Sequence, residues 1–152
     1  IIVDFKLNNK NNINKELTYI INEKDKTYSP LALYFLIDNE LIKNKEQINN
    51  MFDTLIKKTS LDPEIKNLII YKKALYNSNN MSENELINIL NPVINSKSVW
   101  KSHGLYLMAE YFYSKNEINK SKEFFQKIIS LESSNTDIKI KSINRIKRDF
   151  SE

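Results

Sequence analysis

The chain's one histidine, His103, stands in the run Lys101-Ser102-His103-Gly104, between a serine and the only glycine of the 152 residues. A serine, a histidine and a carboxylate can meet in space as a nucleophilic triad whatever their order along a chain. Cysteine is absent, which removes thiolate nucleophiles, thiolate metal sites and disulfides. With one imidazole and no thiol, a transition-metal site would have to rest largely on carboxylates, a donor set those metals use poorly. A single glycine also excludes a Gly-rich loop that cradles phosphate. No constellation for catalysis stands out. The expectation is a chain that is not an enzyme, with no metal, no cofactor and no small-molecule substrate, and His103 reads as a surface or groove residue.

Two other groups of side chains have the chemistry for binding. At helical spacing, His103, Tyr106, Glu110 and Tyr113 fall on the side away from Met108 and Phe112, and Lys66, Ile69, Lys73 and Tyr76 occupy the equivalent side of an earlier helix. Tyrosine offers apolar area and a polar tip, so tyrosines interleaved with charges suit a polypeptide-binding groove. The competing reading is that Tyr106 and Tyr113 pack against neighbouring helices. The second group is the terminal stretch DIKIKSINRIKRDF. There Ile138, Ile143, Ile146 and Phe150 make an apolar stripe and Lys139, Lys141, Arg145, Lys147 and Arg148 stay outside it. This reads as a covering helix with a solvated basic face, or as a contact for anionic lipid headgroups or nucleic acid. Asp137, Asp149 and Glu152 dilute the charge and count against a dedicated nucleic-acid surface.

The elements that carry these residues are helical. One glycine and three prolines are too few for the tight turns of a sheet-rich domain. Apolar residues recur at spacings of three and four, as in Ile13, Leu17, Ile20 and Ile21, in Ile48, Met51, Phe52, Leu55 and Ile56, and in Leu86, Ile89, Leu90, Val93 and Ile94. Ser29-Pro30 and Asp62-Pro63 place a capping oxygen before a proline, Ser82 with Glu85 fits a capping box, and Asn44 with Gln47 is a looser version. Pro92 should kink or end its helix near Asn91. The predicted helices are 1–9, 12–24, 30–42, 45–58, 63–77, 83–94, 98–114, 117–131 and 136–149, in a single all-α domain over 1–152. The net charge of +4 needs no acidic partner. The longest apolar run, Leu31–Ile37, is far below the roughly 20 residues that span a bilayer. The chain opens on Ile1-Ile2-Val3, which predicts a fragment or processed product whose targeting or anchoring segment has been removed.

Consecutive helices joined by short turns raise the question of a repeat. Leu105, Met108, Ala109, Phe112, Ser121 and Phe125 keep the spacing and chemistry of the tetratricopeptide pattern, in which small residues let two helices approach and aromatics fill the flanks. Asn116 is expected to cap the second helix of the pair. Weaker copies lie upstream: Leu68, Ile70, Tyr71, Leu75 and Tyr76 at an offset of 37, and Leu36, Phe52 and Leu55 at an offset of 73. The predicted fold is a tetratricopeptide-like, right-handed stack of antiparallel hairpins closed by a C-terminal capping helix.

The order of segments, with SVWKSHGLYLMAEYF leading into NEINKSKEFFQKIIS and a last helix carrying SINRIKRDF, resembles the tetratricopeptide-like domain of the YfgM family, the ancillary subunit of the bacterial SecYEG translocon. The resemblance covers about 11–150. It implies a domain facing the periplasm, tethered to the inner membrane by an N-terminal helix that this sequence lacks. It implies partners that are other proteins: translocon subunits (whose loops the basic last helix would contact), periplasmic chaperones or exported chains. It carries over no catalytic residue. Two alternatives stand beside this non-enzymatic scaffold. One is a cytoplasmic, nucleic-acid-associated regulator using the last helix; the other is a self-association module using the apolar segment Ile1–Leu7.

Overall fold

The structure, a computed structural model, describes residues 10–150. The helix predicted for 1–9 and the apolar segment Ile1–Leu7 lie outside the described residues. Among those described there are eight α-helices and no strand: α1 (Lys10–Asn22), α2 (Tyr28–Asp38), α3 (Lys45–Lys58), α4 (Pro63–Asn77), α5 (Glu83–Ile94), α6 (Lys101–Ser114), α7 (Ile118–Ser130) and α8 (Thr136–Asp149), with a single 3₁₀ turn at Ser78–Asn80. No described helix is long and apolar enough to cross a membrane.

The starts follow from caps. Ser82 and Glu85 close a reciprocal capping box at α5, Asn44 accepts the Gln47 N–H at 3.0 Å before α3, and Asp62 accepts the Glu64 N–H at 2.9 Å before Pro63. The start of α2 differs from expectation. Asp25 caps it by accepting the Thr27 and Tyr28 N–H groups at 2.8 and 2.7 Å, and the helix begins two residues before Pro30. Pro30 is still within the first turn, where no N–H is needed. Ser29 instead turns inward and donates to the Ile20 carbonyl at 2.7 Å. Pro92 does not end α5 at Asn91, because it sits in the last turn and the helix runs on to Ile94.

Among the described residues, three turns use a left-handed residue where glycine is the usual choice: Lys24 at φ 57°, Glu40 at φ 50° and Asn116 at φ 61°. Asn116 therefore ends α6 rather than capping α7. Its N–H bonds the Tyr113 carbonyl at 3.0 Å and the Glu117 N–H bonds the Phe112 carbonyl at 2.9 Å, the paired closure of a Schellman motif. Glu40 and Leu41 repeat this at the end of α2, on Ile37 and Leu36 at 3.0 and 2.9 Å.

The fold divides into two compact units, Ile1–Ile69 and Ile70–Glu152, with α4 crossing the division. In the first, α1, α2 and α3 pack on one another around Ile13, Leu17, Ile21, Leu33, Leu36, Ile48, Phe52 and Leu55, all buried. In the second, one cluster joins Ala74, Leu86, Leu90, Met108 and Phe112, and another joins Leu105, Ala109, Phe125, Ile128 and Ile138. Helices α6 and α7 form an antiparallel pair in contact at the fully buried Ala109 and Ser121, whose hydroxyl donates to the Ala109 carbonyl at 2.9 Å. The last helix, α8, packs on both members of that pair.

Burial recurs along this unit in a regular way. Ile70, Ala74, Leu86, Leu90 and Val93 are buried, and so are Leu105, Ala109, Ser121, Phe125 and Ile128, each 35 residues further on. The offset of 37 matched residue types at the ends of α4 and α6 but not the packing register. Leu75, paired with the buried Phe112 at that offset, is 49% exposed.

Candidate partner-binding face

The site builds from the connection ahead of α6. Ser98 Oγ accepts the Trp100 N–H at 3.1 Å, and Ser96 Oγ accepts the Ser98 N–H at 3.2 Å, a pair of serine turns that delivers Trp100 to the start of the helix. These turns delay the start of α6 from the predicted position 98 to Lys101. Gly104 follows, and only glycine fits there without a shift, because a Cβ would stand 2.9 Å from Ile94 Cγ2. This close approach seats the first turn of α6 against the end of α5.

Trp100, His103 and Tyr71 gather there as a half-buried aromatic shelf. The Trp100 and His103 ring centroids are 5.1 Å apart, Tyr71 meets the His103 ring edge-on at 5.8 Å, and Tyr71 and Trp100 lie nearly parallel at 6.2 Å. Burial, with the Lys141 ammonium in support, lowers the His103 pKa, so the neutral imidazole is favoured. His103 Nδ1 is buried with no hydrogen-bond partner among the described residues. Burial likewise raises the Tyr71 phenol above its usual value. The shelf can stack on a planar or apolar group and offers a neutral imidazole beside a cation. Trp100 and Tyr71 were absent from the sequence-based selection. The signal for them was the lone tryptophan five residues ahead of Leu105.

The other predicted groove residues separate into different roles. Tyr106, Glu110 and Tyr113 are taken up in joining α8 to α6 and α7. Arg145 bonds both Glu110 and Asp149, its guanidinium lies 4.6 Å from the Tyr113 ring centroid and 5.2 Å from that of Phe125, and its side chain is only 12% exposed. Tyr106 meets Phe125 edge-on at 5.4 Å, and Tyr113 meets Phe150 at 5.9 Å. Burial pulls against the Arg145 charge, but the bonds to Glu110 and Asp149 outweigh it and hold its pKa above the usual value. The Arg148 guanidinium is the main cause that brings Asp149 down to about 2, with Arg145 adding to it.

Arg145 therefore leaves the predicted basic surface and becomes part of the joint. The apolar stripe of α8 shifts with it: the buried line runs through Ile138 and Ser142 to Arg145, and Ile143 is only half-buried. Lys141, Lys147 and Arg148 remain exposed and Lys139 half-exposed. Lys73 and Tyr76 are half-buried on α4 in the second unit; in the first, Lys66 is exposed but Ile69, expected on the groove side, is fully buried in the core.

The first unit holds an opening of its own, lined by none of the predicted groove residues. A cleft of about 1030 Å³ lies between the end of α1 and the start of α2, lined by Leu17, Ile20, Tyr28, Leu31, Ala32 and Phe35. Its lip carries Glu23, Lys24, Asp25 and Lys26, a balanced set. Asp25 is committed to capping, and the Tyr28 and Thr27 N–H groups lower its pKa.

No known protein family, curated protein or solved structure matches the chain.

Proposed function

We propose that this chain is a non-enzymatic polypeptide-binding module, built as a tetratricopeptide-like right-handed stack and working in the bacterial cell envelope beside the translocon and its chaperones. The repeat is supported by a small, fully buried residue at the matching place in three helices, Ala74 in α4, Ala109 in α6 and Ser142 in α8, each following a large buried residue by four: Ile70, Leu105 and Ile138. Small residues at one level let successive helices approach closely, which is what a stacked hairpin requires. The envelope setting rests on the resemblance to the YfgM family alone.

The observation that carries the binding role is the shelf of Tyr71, Trp100 and His103. Aromatic side chains left half-buried at a helix start, with a lysine beside them, suit capture of an apolar or aromatic side chain from another polypeptide. Trp100 is the only tryptophan, so its fluorescence reports on this one place. A permanently unfolded, thiol-blocked polypeptide lacking tryptophan, titrated into the protein, should shift Trp100 emission saturably, and Tyr71→Ala should weaken the response. An unchanged emission while binding is seen by another method would move the site elsewhere; no binding at all would overturn the function. Photo-crosslinking from positions 71 and 73 in bacterial membranes then tests the compartment. Crosslinks confined to cytosolic proteins would exclude the envelope.

A further inference from the structure

The outer side of α8 offers a second surface, which adjoins the aromatic shelf only through Lys141. The inner side is consumed by Ile138, Ser142, Arg145 and Asp149, which face α6 and α7. On the opposite side Ile140, Ile143, Asn144 and Lys147 recur at spacings of three and four, so they form one strip along the helix. Ile140, at the N-terminal end of the strip, is 51% exposed, and Ile143, one turn on, is half-exposed. A helix that merely closed a stack would carry a polar outer face, and two isoleucines in line depart from that. Lys139 stands on one flank of the strip and Lys141 on the other, with Arg148 already paired to Asp149 and with Asp137 as the only exposed carboxylate among the described residues of the helix.

From this arrangement we infer that the outer face of α8 docks an acidic amphipathic helix of a partner protein. The apolar residues of that helix would cover Ile140 and Ile143, and its carboxylates would meet the lysines on either flank. Charge decides among the occupants. A second copy of α8 would set lysines against lysines across a symmetric contact, which like charges oppose. A bilayer would gain little from an apolar strip only two isoleucines wide. Nucleic acid would use the cations and leave the isoleucines without a role. An acidic helix uses both.

The test employs the full chain and a labelled helical peptide carrying leucines on one face and glutamates on their flanks, with a second peptide in which glutamine replaces every glutamate. Fluorescence anisotropy should show binding of the glutamate peptide that weakens with salt, and much weaker binding of the glutamine peptide. Ile140→Gln should reduce the affinity about tenfold, as loss of the most exposed apolar contact of a small interface does. Lys139→Glu with Lys141→Glu should reduce it further while leaving the helical circular dichroism unchanged. Equal affinity for the two peptides, or an Ile140→Gln variant that binds as before, would overturn the inference. So would a preference for phosphatidylglycerol vesicles or duplex DNA over the glutamate peptide, or self-association of the chain that Ile140→Gln abolishes.

Discussion

The three left-handed turns offer a prediction whose size follows from the backbone. Lys24, Glu40 and Asn116 have φ values of 57°, 50° and 61°, where a Cβ crowds the following carbonyl. An L-residue there costs roughly 1–2 kcal/mol, and glycine removes that cost. Glycine also loosens the unfolded chain, which returns about 0.4–1 kcal/mol. Lys24→Gly and Glu40→Gly should each therefore stabilise the first unit by about 0.5–1 kcal/mol. Asn116→Gly should gain only a few tenths (roughly), because asparagine tolerates the left-handed region. Glu40→Ala keeps the strain and should gain nothing, which separates the backbone effect from any effect of the side chain. The two first-unit turns close different helices, so the double variant should gain about the sum of the single changes. Urea unfolding followed by circular dichroism is the assay, with the midpoint rising and the slope unchanged. A Glu40→Gly protein no more stable than the parent would refute the reasoning, as would an Asn116→Gly gain larger than that of Glu40→Gly.

Other outcomes follow from the packing and the titrating groups. Gly104→Ala adds a methyl 2.9 Å from Ile94 Cγ2, a β-branched atom with little freedom to retreat; overpacking of 1–3 kcal/mol outweighs the ~1 kcal/mol helix-propensity gain, so urea unfolding should show a net loss of about 1 kcal/mol. The folded His103 pKa lies below its usual 6.5, so the unfolded chain binds the extra proton first. The contribution of His103 is fully present above 6.5 and is lost as pH falls from 6.5 toward the lowered folded value; stability measured against pH should lose this slope in His103→Gln and show a smaller one in Lys141→Gln. Asp149 is held down to about 2, so its contribution is present above the unfolded 3.8 and is lost as pH falls toward 2; Asp149→Asn should abolish that acid transition in an unfolding series.

How much of this was legible in the sequence depends on whether a feature is local. Helix existence and most starts were, because caps and periodicity act within a turn or two: α3, α4, α5 and α8 fall on their predicted bounds. The Asp25 cap was not legible, because it follows directly on a φ 57° turn at Lys24, a conformation that lysine does not advertise. The same holds at Asn116, where a residue suited to capping the next helix instead supplies the left-handed end of the previous one. The Ala109–Ser121 crossing was legible because small residues at fixed spacing have one common use, the close approach of two helices.

The site was less legible, and Arg145 shows why. Read along the helix, it belongs with Lys139, Lys141, Lys147 and Arg148; in space it is drawn inward by Glu110, a residue 35 positions earlier. Helical spacing gives a direction around an axis but not the depth of neighbouring helices, so a cation on the boundary can be read either way. Arginine makes the inward choice workable, because its planar guanidinium can bond two carboxylates while lying over the rings of Tyr113 and Phe125. Lysine at 145 would have neither the fork nor the flat face. The tyrosines near it therefore serve the joint, and the half-buried aromatics left outside it are Trp100 and Tyr71, on which the proposed binding role rests.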